Sequence, residues 1–135
     1  MSRRKKVMLT VVLTAVVIGG ILGITFLQSL NKYKKTVNDM KIGTLDLNVV
    51  KDGEYEGSCD AGLISVDLKV KVKNHRIEQV DLIKHKNGRG KPAEAVIQEV
   101  LNKQSLQVDT VSGATNSSKV ILKAVEDALN KGKLP

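Results

Sequence analysis

The sequence predicts an α+β domain, a small antiparallel sheet packed with two helices, preceded by one N-terminal transmembrane helix. Three observations carry this. Residues 7–27 form 21 consecutive positions without a charge, close to the ~20 that a helix needs to cross the hydrocarbon core of a bilayer. Residues 63–73 alternate apolar and polar in period two, the mark of a strand with one buried face. Residues 93–103 and 118–129 place apolar side chains at helical spacing, the mark of helices with one buried stripe.

Each element has its own signals. Arg3, Arg4, Lys5 and Lys6 precede the apolar run directly, which by the positive-inside rule puts residues 1–6 in the cytoplasm. Gly19, Gly20 and Gly23 suit a membrane span better than a helix in water. The run is longer than the ~7–15 apolar residues of a signal peptide, and no small-x-small cleavage site comes after it. Residues 7–27 are therefore read as an uncleaved anchor, with the rest of the chain on the extracytoplasmic face. Residues 28–50 read as a stalk or linker. Within it Leu30, Tyr33, Val37 and Met40 keep roughly helical spacing, and Leu45, Leu47 and Val49 alternate with polar residues.

The domain itself is expected at 51–135. Asp52-Gly53 is a turn signal, and residues 53–58 read as a short strand bounded by glycines. Ile64, Val66, Leu68, Val70 and Val72 form the core face of the next strand. Lys73-Asn74-His75 is a tight connection to a third strand carrying Ile77, Val80, Leu82 and Ile83. His85 opens a basic, glycine-containing loop through Lys91, and Pro92 sits where a helix can start. The second helix carries Val120, Ile121, Ala124, Val125, Ala128 and Leu129 on one face and stops at Lys131-Gly132-Lys133.

Composition narrows the function. The formal charge is +8, but four of the 22 Lys and Arg lie in the first six residues, leaving a modest excess over 14 Asp and Glu elsewhere. Phe26, Tyr33 and Tyr55 are the whole aromatic set. Neither a concentrated basic patch nor a row of stacking platforms is present, which argues against nucleic-acid binding. Cys59 stands alone, without the second thiol or clustered His of a disulfide or metal site, and reads as a half-buried strand residue. No nucleophile–His pair at meaningful spacing and no metal cluster is visible.

The richest stretch is Asp109-Thr110-Val111-Ser112-Gly113-Ala114-Thr115-Asn116-Ser117-Ser118. It places hydroxyls, one glycine and one alanine where a helix begins. Backbone amides in a first turn lack intrahelical partners and carry the positive end of the helix dipole. Gly113 and Ala114 let a ligand approach the backbone, so the stretch has the makings of a phosphate seat. An ordinary capped helix start uses the same residues, and on these grounds alone both readings stand. The stretch is not a P-loop, because no glycine directly precedes Lys119.

Residues 109–117 resemble the Asp-x-x-Ser-Gly-Ala-Thr-x-Ser signature of the FMN-binding domain, found in the C subunit of sodium-pumping NADH:quinone oxidoreductase and the G subunit of the Rnf complex. The similarity extends over residues 51–131, taking in Asp52-Gly53-Glu54-Tyr55-Glu56-Gly57, the segment at His85 and the helix from Ser118. The larger subunits have Glu-Thr-Pro-Gly after the histidine where this chain has Lys86-Asn87-Gly88-Arg89-Gly90. It therefore resembles the short, membrane-anchored, stand-alone version.

The resemblance implies covalent FMN, joined as a phosphoester to Thr115 by a flavin transferase that uses FAD. It implies that Asp109, with Ser112, Gly113, Ala114 and Thr115, is recognised by the transferase, and that Asn116 and Ser117 complete the cofactor turn. His85 and Tyr55 are further candidates for flavin contact, each with a plain alternative: a loop histidine at a strand end and a core tyrosine. Lys84, Lys86, Arg89 and Lys91 attract an acidic partner or the phosphate, or simply solvate the loop. The implied role is an electron carrier rather than a stand-alone enzyme. It would take electrons from a membrane donor, of the quinol or NADH dehydrogenase type, and pass them to an extracytoplasmic acceptor. The rival reading is a membrane-anchored binding or assembly module with reversible flavin binding or none.

Overall fold

A computed structural model describes residues 1–86 and 90–135. It divides into two units, residues 1–32 and 33–135. The first unit is helical. Helix α1 runs Arg3–Asp39, and its stretch from residue 3 is long and apolar enough to cross a membrane. Val7, Leu13, Ile21 and Leu27 all leave more than half of their surface exposed.

The second unit is built on a three-stranded antiparallel sheet in the order β1-β2-β3. The strands are β1 (Gly53–Asp60), β2 (Ser65–Lys73) and β3 (Arg76–Lys86). In β2 the alternation is realised: Val66, Leu68, Val70 and Val72 are buried, while Asp67 and Lys71 are exposed. The β2–β3 connection is a two-residue hairpin, with Asn74 and His75 both at positive φ (51° and 59°) between paired Lys73 and Arg76. That backbone matches the right-handed twist of the flanking strands. Asn74 N–H is held by Asp52 Oδ1 at 2.9 Å, which ties the hairpin tip to the start of β1.

Helix α2 is Val96–Lys103, entered through a 3-10 turn at Lys91–Ala95 with Pro92 in its first positions. Val96 and Val100 are fully buried. Gln104 ends α2 in the left-handed conformation. Its side chain then acts as a strand partner for β3, accepting from Ile77 N–H at 2.7 Å and donating to Ile77 C=O at 3.0 Å. Helix α3 is Thr115–Lys131 and buries Val120, Ile121, Ala124, Val125, Ala128 and Leu129. It lies on the face of the sheet formed by β1 and β2. The structure is thus the expected α+β arrangement of one small antiparallel sheet and two helices, preceded in the chain by a long apolar helix.

Helix α3 and β1 approach each other closely at Gly57. A Cβ added to Gly57 would stand 2.0 Å from Ala124 C=O and 2.7 Å from Ala128 Cβ. Helix backbone rests directly on strand backbone there. Polar side chains of α3 also serve the β1 edge: Asp127 Oδ2 accepts from Ser58 N–H at 3.0 Å, and Lys131 Nζ donates to Glu56 C=O at 2.7 Å.

Residues 33–50, read from sequence as part of a stalk, pack against this unit. Val37 and Val50 are both 0% exposed. Leu47–Val49 form a 3-10 turn rather than a strand, and Val50 bridges Lys133 near the C-terminus. Lys51 N–H donates to Gly132 C=O at 2.9 Å, and Leu134 N–H to Val49 C=O at 2.8 Å. Further along, Lys123 Nζ donates to Lys41 C=O at 3.0 Å and Gln107 Nε2 to both Ile42 and Gly43 carbonyls at 3.2 Å.

The Gly57 contact predicts a sharp asymmetry between neighbours. Gly57→Ala should cost about 1–3 kcal/mol through overpacking, towards the upper end because the obstacle is backbone that no rotamer change can move. Alanine at the exposed Glu56 should stay within about 0.5 kcal/mol. Denaturant unfolding of the detergent-solubilised chain measures both, and equal stabilities would refute the contact.

Candidate functional site

The turn before α3 is built by local hydrogen bonds. Ala114 N–H donates to Val111 C=O at 2.9 Å. Gly113, third in this four-residue turn, has φ 78°, a conformation that a Cβ disfavours. Ser118 then locks the turn to the helix. Its hydroxyl accepts from Val111 N–H at 3.0 Å and donates to Ala114 C=O at 2.8 Å. Ser118 is 0% exposed, so its hydroxyl is spent on the backbone inside the fold.

The helix start itself is bare. Ala114 occupies the cap position with φ −136° and ψ 35°, and no side chain caps the first turn. The hydroxyl-rich sequence therefore does not supply the usual Ser, Thr or Asn cap, and first-turn amides are left for solvent or a ligand. Thr115 and Asn116 are exposed, whereas Ser117 is buried. Residues 113–117 line a cleft of about 420 Å³ together with Tyr33, Ile64 and Gly90. This volume is in the usual range of small-molecule sites. Uncapped amides, a narrow Gly-Ala entry and an exposed hydroxyl at Thr115 together fit an anionic group held at a helix N-terminus.

Other candidates from the sequence fall elsewhere. Asp109 is exposed and lines a different cleft of about 400 Å³, with Thr110, Lys119, Met40 and Ile42 among its neighbours. Ser112 is exposed in the turn and lines neither cleft. Tyr55 lies at the opposite end of α3. Its ring covers Gly132, where an added Cβ would stand 2.5 Å from ring carbons, and its hydroxyl donates to Lys51 C=O at 2.8 Å. The 17 residues of α3 correspond to about 25 Å of helix between the two ends.

His85 sits at the end of β3 opposite Val66. Its Nδ1 lies 3.1 Å from Glu94 Oε1, and the side chain is only 2% exposed. Glu94 belongs to the 3-10 turn that Gly90 precedes, so the pair pins the turn next to the cleft residue Gly90. Lys84, Lys86 and Lys91 are exposed. Arg89, with Asn87 and Gly88, lies outside the described residues. Cys59 is half-buried on β1, where burial pushes its thiol above the ordinary range. Nearby Asp60 and Asp127 push the same way, and Lys123 pulls partly back. A neutral thiol is a poor nucleophile at neutral pH.

Tyr33, Ile64 and Gly90 are cleft residues that sequence reasoning missed. Ile64 carries only a core signal and Gly90 only a loop signal. Tyr33 does fall on one helical face with Val37 and Met40, but in the sequence that face reads as part of a stalk.

The fold and this helix start define a small α+β domain that presents an uncapped helix N-terminus beside a cleft. The model of the FMN-binding domain matches residues 61–130, just over half of the chain and including the whole turn, and the chain belongs to that family. It is also 34% identical over 85 residues to an uncharacterised protein of Treponema pallidum (strain Nichols), an alignment that takes in 61% of this chain and 24% of the relative. The chain thus spans about a quarter of that relative's length.

Ser118→Ala tests the lock on the turn. It should destabilise the domain by about 1–3 kcal/mol, because Val111 N–H loses its partner in a half-buried setting. Amide exchange at Val111 should accelerate in step. A variant with wild-type stability and exchange would show that the turn holds without the hydroxyl.

Proposed function

We propose that the chain is a membrane-anchored flavoprotein that carries FMN covalently through a phosphoester to Thr115 and works as an electron carrier. The observation that carries this reading is the bare start of α3: an exposed threonine hydroxyl beside uncapped amides, at the mouth of a cleft, in a chain of the FMN-binding domain family. FMN supplies the redox chemistry when bound. The protein supplies attachment, orientation and a local field. The first-turn amides of α3 neutralise phosphate charge, Gly113 and Ala114 admit it to the backbone, and Ser118 keeps the turn in place.

Attachment requires a flavin transferase using FAD. The Thr115 Oγ1–phosphorus bond forms, the pyrophosphate P–O bond breaks, AMP leaves, and the hydroxyl proton is lost. Asp109 is exposed beside Thr110 in a cleft separate from the one lined by Thr115, which suits a role in transferase recognition rather than in holding flavin. Residues 1–6 lie in the cytoplasm and residues 7–27 in the bilayer, by the charge pattern of Arg3, Arg4, Lys5 and Lys6. The flavin domain then faces outward. It receives electrons from a membrane donor of the quinol or NADH dehydrogenase type and passes them to an extracytoplasmic acceptor.

Co-expression with a flavin transferase tests the linkage. A flavin band should survive denaturing electrophoresis, the intact mass should rise by one FMN less one water, and both should vanish in Thr115→Ala. A band that persists unchanged in that variant would overturn the assignment. Orientation is checked separately. Protease added outside intact cells should digest the domain, and full protection would reverse the topology.

A further inference from the structure

We infer that Tyr33 is the aromatic wall of the flavin cleft, a binding residue supplied by the membrane-proximal end of α1 rather than by the matched domain. This inference rests on the reading that flavin occupies the cleft at Thr115. Tyr33 lines that cleft together with residues 113–117, and it lies outside residues 61–130 covered by the family model.

The aromatic inventory leaves one residue for this role. The chain has Phe26, Tyr33 and Tyr55 and no Trp. Phe26 belongs to the apolar run of α1 and is 59% exposed there. Tyr55 covers Gly132 at the far end of α3. At the Thr115 end the cleft otherwise offers Ile64, small residues and polar side chains. A planar heteroaromatic ring has one π surface to stack on, and that surface is the phenol of Tyr33.

The ring is also held. Tyr33 and Val37 share one face of α1, Met40 directly follows its last residue, and all three pack against the core, with Val37 fully buried. Just beyond them the chain is tied down by Lys123 on Lys41 C=O, Gln107 on the Ile42 and Gly43 carbonyls, and Glu126 Oε2 accepting from Gly43 N–H at 3.3 Å. A half-buried tyrosine on a docked helical turn is pre-positioned, so little side-chain freedom remains to be lost when a ring stacks on it. The flavin site is therefore incomplete in the family domain alone, and the segment leaving the membrane supplies its missing face.

The test uses the full chain in detergent, with Tyr33→Phe and Tyr33→Leu, each loaded with covalent FMN and each also made in a Thr115→Ala background for titration with free FMN. Covalent loading should be equal in all three. A stacked phenol quenches flavin emission by donating an electron to the excited ring, so both variants should be brighter than wild type in the folded state. Free FMN should bind roughly 2- to 10-fold more weakly to the Leu variant, the fold-change of a lost aromatic pair, while the Phe variant, which keeps a ring, should bind as wild type does. Lost quenching with retained affinity in Tyr33→Phe is a signature that a purely structural role would not give. Unchanged emission and unchanged FMN affinity in Tyr33→Leu would overturn the inference. If wild type carries no covalent flavin, the phosphoester reading fails, and the FMN titration still decides the role of Tyr33.

Discussion

The direct seating of α3 on β1 at Gly57 fixes where everything else can be. Any side chain there would meet the carbonyl of Ala124 and the backbone of Ala128, so the helix axis is set by backbone contact rather than by adjustable side chains. Interiors pack at crystal-like density and transmit such constraints over several turns. Because α3 is one helix of 17 residues, fixing its middle against β1 also fixes its start. The turn at 111–114 is thereby delivered to the end of the sheet where Ile64 and Gly90 lie, and Tyr55 on Gly132 marks the other end of the helix. The small residues along this contact, Gly57, Ala124 and Ala128, are the cost of that precision, since they contribute little apolar area of their own.

The helix start trades stability for accessibility. A side chain at the cap position commonly contributes about 1 kcal/mol, and this helix forgoes it by placing Ala114 there. The compensation comes from one turn inside. Ser118 satisfies Val111 N–H and shares Ala114 C=O, so the turn is fixed from behind while its outer amides stay open. Bracing the turn from within in this way leaves room that a capping side chain at position 114 would occupy. The same economy appears at Gln104, whose amide serves both backbone groups of Ile77 on the sheet edge.

Much of this was legible in the sequence because period and punctuation are local properties. Val66 to Val72 announced β2, Asn74-His75 announced the hairpin, and the stripe from Val120 to Leu129 announced α3. The boundaries shifted where local signals compete: Ala93 reads as helical, but it lies with Pro92 in a 3-10 turn, Lys91–Ala95, that gives way to α-helix only at Val96. The helix start was recognisable as a hydroxyl-rich turn, yet which hydroxyl faces inward was not. Ser117 and Ser118 turn out buried and Thr115 exposed, a distinction set by how α3 rotates onto the sheet. Tyr33 lines the cleft while Tyr55 covers Gly132 at the far end of α3, for a related reason. Proximity in the chain to a glycine-flanked strand says nothing about which end of a helix 60 or more residues later will lie beside it.

The membrane-proximal segment bears most directly on how such a domain would use a tethered cofactor. A cleft of about 420 Å³ with one tyrosine and no tryptophan offers little binding energy of its own, since affinity for a ligand of FMN's size depends on well-placed contacts rather than on volume. The proposed covalent phosphoester would remove that demand. It would make docking of the ring intramolecular, at an effective concentration that a short tether raises far above that of free cofactor. Weak stacking on a pre-positioned ring would then suffice to orient the flavin. The segment that provides the ring is stitched to α3 through Lys123 and Glu126, and to the C-terminus through Val50 and Lys133. On the proposed reading, the same residues that join the anchor to the domain hold one wall of its cofactor site, so a change in how residues 33–50 pack would be felt at the flavin.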